Sequence, residues 1–170
     1  SNNSEKHHMY VIGTQEMGQS IRRAVWGCGL TGRRARRDFE DRILRYLNAS
    51  SIVESNDTQQ EYRKLCSTHL GAIHLVVFAH RTVDSLSQLR ASTVTTGFGN
   101  IVPNKGACLV SFTLGRQRIL LANCHLPPHT QNVEKRTTAF KRIVRKGTKK
   151  LGRTRESSDK TNTRFSTTVH

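Results

Sequence analysis

Met9-Tyr-Val-Ile-Gly-Thr-Gln-Glu16 is a short apolar run, broken by one glycine and closed by two polar residues. A run of that length and type reads as a buried strand over Met9 to Thr14. Gln15 and Glu16 then sit at the strand's C-terminal end, where α/β sheets gather ligands. Downstream, Gly27 to Gly32 is a glycine-rich turn, and Thr31 is placed to cap a helix from about Arg33 to Asn48. In that helix Ala35, Phe39, Ile43 and Leu47 recur every four residues and Leu44 widens the stripe, the pattern of one buried face. Ala49 to Gln60 is polar and reads as a loop. Gly71 to His80 is a clear strand, and Arg90 to Thr96 a weaker, alternating one. Gly97 to Gly106 is loop by composition, and Ala107 to Leu114 and Arg118 to Cys124 are strands joined by a Gly115-Arg116 hairpin. A polar stretch, His125 to Asn132, leads into a helix over Val133 to Arg145 that Gly147 is expected to close. Lys146 to Lys160 is basic and aperiodic, and reads as a solvated linker. The order predicts an α/β layered sheet of about five strands with some antiparallel pairing and unprotected edges.

The 170 residues make one domain's worth of chain, with 28 Lys+Arg against 12 Asp+Glu and a formal net charge of +16. That balance points to an anionic partner: nucleic acid, acidic phospholipid or phosphorylated small molecules. The charge is clustered. Arg22 to Arg45 holds eight Arg and three acids, and Glu134 to His170 holds twelve Lys+Arg and three acids. Leu75 to Ala79, the longest apolar run, is far too short to span a membrane. No secretory signal is visible, so Cys28, Cys66, Cys108 and Cys124 are read as reduced thiols of a cytosolic protein.

Three segments set polar residues beside a strand end: Thr14-Gln15-Glu16, Asn104-Lys105-Gly106 and Asn123-Cys124-His125. A carboxylate, an amide with an ammonium, and an imidazole at one sheet rim suit metal-assisted phosphate chemistry. Glu16 is the candidate ligand for a hard cation such as Mg²⁺, which prefers oxygen. Lys105 in its glycine-flanked loop is placed to cradle phosphate. His125 is placed to hydrogen-bond a phosphoryl oxygen as charge develops there. Other residues read as structural. Pro127-Pro128 forbids the helix that would make His125 and His129 a simple zinc pair with Cys124. His74 alternates with apolar neighbours and reads as an exposed-face residue of its strand. His7-His8 reads as solvated, and Trp26 as a packing anchor.

The strings themselves resemble the inositol polyphosphate 5-phosphatases, a branch of the endonuclease/exonuclease/phosphatase superfamily. Tyr10-Val-Ile-Gly-Thr-Gln-Glu16 is similar to the family's strand-plus-QE motif, closest to its SHIP-type form. Thr96-Gly97 with Asn104-Lys105-Gly106-Ala107 resembles its TG…NKG segment, and Val110-Ser-Phe112 continues the strand in the same way. Asn123-Cys-His125-Leu126 with His129 resembles N-S-H-L-x-x-H, and Glu134-Lys-Arg136 the E-x-R that follows. The motifs recur together and in order over roughly residues 8 to 145. The resemblance implies a partial four-layer α/β sandwich of the DNase I-like type. It also implies a Mg²⁺-dependent phosphoesterase that removes the 5-phosphate of phosphoinositides or soluble inositol polyphosphates by direct attack of water. Glu16 would be the metal ligand, and His125 would contact the scissile phosphate. Asn104, Lys105 and His129 would lie on the substrate side, with Arg136 there as a supporting residue. An anionic membrane surface becomes the expected docking partner, and the expected location is cytoplasmic and peripheral at membranes.

The same resemblance marks departures. Pro103 stands where the family usually has Gly, and Thr137 where it often has Asn. The family's Asn-bearing strand before the QE strand, its G-D-x-N strand and its S-D-H motif have no counterpart in the 170 residues. Asp159 and Asn162 do not form the second of these. The expectation is therefore a catalytic-domain piece: a core over 8–145, a linker-like segment over 146–161, and the start of another strand over 162–170. By itself it is expected to be inactive or nearly so. Two alternatives stand beside this reading: a nuclease of the same superfamily, which NKGA and NCHLPPH argue against, and a non-catalytic phosphoinositide-binding remnant. Head-group preference and oligomeric state do not follow from the residues.

Overall fold

Ile-His-Leu-Val-Val-Phe-Ala-His, residues 73–80, is apolar at alternate positions on both faces, so it needs cover on both sides. In the computed structural model it has that cover, as the central strand of one of two stacked sheets. The structure describes residues 7–16, 30–49, 61–97, 99 and 101–152. Residues 27–29 of the turn expected over 27–32, 50–60 of the loop expected over 49–60, Trp26 and the strand start at 162–170 lie outside these residues, and the described remainder, 30–32 and 49, is helical.

The described elements are strand β1 (Met9–Thr14), helix α1 (Leu30–Ala49), strands β2 (Tyr62–Leu70), β3 (Ile73–His80), β4 (Leu86–Thr95), β5 (Gly106–Leu114) and β6 (Gln117–His125), a 3-10 turn (Thr130–Asn132) and helix α2 (Val133–Gly152). One sheet has the order β1-β3-β2 and the other β4-β5-β6, and every neighbouring pair is antiparallel. Ile73, Leu75 and Val77 of β3 meet Cys108, Val110 and Phe112 of β5 in the core between the sheets. The alternate residues of β3, Val76 and Phe78, pack outward against Ile43, Leu44 and Leu47 of α1. Likewise Ala107 and Leu109 of β5 pack outward against Ile143 and Leu151 of α2. The period-2 pattern thus builds four layers, helix–sheet–sheet–helix. The expected four-layer α/β sandwich is what the chain forms. No helix among the described residues is long and apolar enough to cross a membrane.

Several expectations change. There are six described strands in two sheets, not about five in one. Tyr62–Leu70 is a strand although its polar content hid it. It lies at the far edge of its sheet, and a bulge between Lys64 and Cys66 interrupts its alternation. Gly147 does not close α2, which runs on to Gly152 and takes in half of the expected linker. A side chain at Gly147 would collide with Leu109, so the glycine serves close helix–sheet packing instead of a cap. Helix α1 starts at Leu30, which puts Thr31 inside it. The Gly115-Arg116 hairpin forms as expected, with Leu114 paired to Gln117 and Gly115 at φ 58°.

His74 is the largest reversal: it is buried, not exposed. Helix α1 covers its face of the sheet and brings a carboxylate to it. Glu40 Oε1 lies 2.8 Å from His74 Nε2, Glu40 Oε2 accepts from Lys64 Nζ at 2.7 Å, and Ser67 Oγ donates to Oε1. Burial pushes the Glu40 carboxyl up, but the hydrogen bonds from His74, Lys64 and Ser67 outweigh it and hold the carboxyl at about 2, below its ordinary 4.5.

Candidate active site

Antiparallel register brings the three polar segments to one rim. Gly106, the first residue of β5, pairs with His125, the last of β6, so Lys105 and the imidazole stand side by side. Gly106 sits at φ 150°, and a side chain there would strike the Val94 carbonyl. The Thr96 amide donates to the Lys105 carbonyl at 2.9 Å and seats the loop on β4. Glu16 lies two residues past the end of β1, a strand of the other sheet, at φ 56°, a left-handed conformation that few non-glycine residues adopt.

Side chains complete the group. Lys105 Nζ hydrogen-bonds His125 Nε2, and Glu16 Oε1 lies 3.7 Å from the same nitrogen. Burial, then the neighbouring Lys105 ammonium, holds the His125 pKa below its ordinary value, and Glu16 opposes them. The Glu16 side chain is 79% exposed, whereas that of His125 is 11% exposed. Asn104 Oδ1 and His125 Nδ1 are buried with no hydrogen-bond partner among the described residues. Beside this group a cleft of about 530 Å³ runs from Thr96, Asn104 and Lys105 to Glu134, Lys135, Thr138 and Arg142 of α2, so its wall carries three basic side chains and one carboxylate.

Arg136 donates to the carbonyls of His129, Pro127 (3.5 Å) and Thr130 (3.5 Å). It therefore holds the loop that follows His125. His129 is exposed on that loop at φ 73°, and its carbonyl, not its ring, takes part in these bonds. Two residues at the rim went unassigned in the sequence. Gln15 Nε2 donates to the Cys124 carbonyl at 2.7 Å, and Asn123 Nδ2 donates to the Thr14 and His74 carbonyls, both at 2.9 Å. The available signal was Gly13, a glycine inside a strand, which marks a close approach.

No group of three or more His, Cys, Asp or Glu that could hold a metal ion occurs among the described residues. Glu16 nonetheless fits a Mg²⁺-type ion. Its carboxylate is open to solvent, and such ions are held through one or two carboxylates, with water and substrate phosphate filling the remaining positions.

The family described as Endonuclease/Exonuclease/phosphatase family 2 matches residues 1–167. The chain is 31% identical over 146 residues to phosphatidylinositol 4,5-bisphosphate 5-phosphatase INP51 of Saccharomyces cerevisiae, covering 85% of this chain and 14% of that protein. It is 27% identical over 140 residues to phosphatidylinositol 3,4,5-trisphosphate 5-phosphatase 2B of Danio rerio, covering 82% of this chain and 10% of that protein. Among solved structures it resembles the inositol polyphosphate 5-phosphatase domain of SPsynaptojanin, crystallised with inositol (1,4)-bisphosphate and a calcium ion. The TM-score is 0.64 at 22% identity, covering 83% of this chain and 37% of that one, and the likeness is one of fold.

Proposed function

The chain belongs to the endonuclease/exonuclease/phosphatase family, and on that premise we propose that it carries part of the catalytic rim of an inositol polyphosphate 5-phosphatase. The reaction is hydrolysis of the 5-phosphate monoester of phosphoinositides or soluble inositol polyphosphates by water. The observation that carries this reading is the junction of Glu16, Lys105 and His125 at the ends of strands from two sheets. The names of the relatives, which are 5-phosphatases of phosphoinositides, support the substrate class.

In this reading Glu16 holds Mg²⁺, which when bound supplies Lewis-acid polarisation of the phosphoryl group and orientation of the attacking water. Lys105 pairs with a phosphate oxygen, and Asn104 lies against the same group. His125 faces the same phosphate. Burial and Lys105 lower the imidazole pKa, an arriving phosphate dianion offsets Lys105, and the imidazole donates N–H to a phosphoryl oxygen. That donor strengthens as charge grows on the oxygen. Arg136 keeps the 127–130 loop, and His129 with it, beside the substrate. The net charge of +16 favours docking at an anionic cytoplasmic leaflet.

The test is phosphate release from phosphatidylinositol 4,5-bisphosphate vesicles and from inositol 1,4,5-trisphosphate by the full-length protein, run beside plasmid nicking. Mg²⁺-dependent release specific to the 5-position is expected. Nicking without release would replace this reading with a nuclease, and vesicle binding without release with a binding module.

A further inference from the structure

The two candidate catalytic side chains stand on different sheets, Glu16 after β1 and His125 at the end of β6. Their only direct meeting is across 3.7 Å, with Glu16 largely in solvent. A contact that loose cannot fix the distance between them, so another group must. Asn123 lies two residues before His125 on β6 and is half-buried between the sheets. Its amide Nδ2 donates across the gap to Thr14 O of β1 and His74 O of β3, both at 2.9 Å. Gln15 Nε2 returns the bridge, reaching Cys124 O at 2.7 Å and Asn123 Oδ1 at 3.5 Å. A Cβ on Gly13 would stand 2.9 Å from Asn123 Cγ, so a glycine at that place in β1 is what admits the amide. Every one of these bonds starts or ends within two residues of His125 on β6, and all but the one to His74, which anchors the same amide to the central strand, reach within two residues of Glu16.

We propose that Asn123, backed by Gln15, is a positioning residue that sets the separation of Glu16 from His125 by clamping the end of β6 to the end of β1. The inference rests on the function proposed above. Asn104, Lys105 and His125 all belong to the β4-β5-β6 sheet and its loops, so phosphate binding survives loss of the clamp. Bringing Glu16 to bear on the bound phosphate does not.

In the full-length protein, Asn123→Ala is expected to lower kcat about a hundredfold, the loss that follows ~1 Å of misplacement. KM for inositol 1,4,5-trisphosphate stays within about threefold, because uniform binding is untouched. Gln15→Ala removes an exposed partner, leaves the fold in place, and lowers kcat about tenfold with KM again unchanged. A readout independent of activity is the Asn123 side-chain amide in ¹H–¹⁵N spectra, whose protons are expected to exchange slowly with solvent. A wild-type kcat in folded Gln15→Ala and Asn123→Ala overturns the clamp, as does a rise in KM at constant kcat. A kcat loss that tracks the fraction unfolded at each temperature also overturns it, reducing Asn123 to a stabilising residue. If Asn123→Ala does not fold, Gln15→Ala decides. If the wild type releases no 5-phosphate, the functional reading fails by itself, and amide exchange still decides the clamp: slow exchange supports it and fast exchange overturns it.

Discussion

Replacing Glu40 by Gln tests whether the buried cluster under α1 stabilises the sheet that carries Glu16. Glu40 is 4% exposed and accepts from Lys64 Nζ at 2.7 Å, from Ser67 Oγ and from His74 Nε2 at 2.8 Å. Its carboxyl is held at about 2 against an ordinary 4.5. A depression of that size corresponds to about 3 kcal/mol of folding stability at neutral pH. The folded pKa lies below the unfolded one, so the contribution is complete above about pH 4.5 and fades as pH falls toward about 2. Gln keeps the shape but loses the charge, leaving Lys64 without its counter-ion and His74 with a weaker partner. The assay is urea unfolding of wild type and Glu40→Gln at pH 7 and at pH 3. The variant is expected to be about 2–3 kcal/mol less stable at pH 7. At pH 3 the gap should narrow by more than half, because the wild-type carboxyl is then losing its advantage. Equal stability at pH 7, or a gap that does not shrink on acidification, refutes the account.

Three further outcomes follow from the geometry. Glu16→Gln should lower turnover at limiting Mg²⁺ with recovery as Mg²⁺ is raised, and an unchanged Mg²⁺ titration would remove Glu16 from the ligand role. Lys105→Met should raise KM for the phosphorylated substrate. It should also shift the His125 imidazole titration, followed by NMR, to higher pH, since burial remains but the neighbouring ammonium is gone; an unmoved titration would show that burial acts alone. Gly147→Val should cost about 1–3 kcal/mol in urea melts, because its side chain must displace Leu109, which is buried beneath α2, and a neutral result would mean that Leu109 has room to move.

The bounds of β1 were legible to the residue, since a short apolar run ending in polar residues has few other readings, but its expected burial was not met, because β1 is an edge strand with Val11 46% exposed. The β5–β6 hairpin was legible for the same reason, with Gly115 placed where a left-handed turn needs it. Strand β2 was not, because an edge strand with a bulge and one face toward solvent keeps too few apolar residues for its period to show. The end of α2 was misplaced at Gly147 because a glycine that admits a neighbouring sheet and a glycine that caps a helix look the same in one dimension. His74 was misplaced because exposure depends on what covers a face. The residue that covers it, Glu40, is 34 positions away on helix α1.

At the site the division has the same cause. Glu16, Asn104, Lys105 and His125 could be chosen from sequence because each sits at a strand end, and strand ends are set by local pattern. Only the tertiary structure decided that Lys105 and His125 touch, through the Gly106–His125 register, and that Arg136 holds carbonyls of its own loop. It alone decided that Asn123 crosses between sheets to meet Thr14, His74 and Gln15. Local pattern along the chain settles which residues end a strand. Distances between strands are settled by packing of two sheets, to which residues more than 100 positions apart contribute as directly as neighbours do.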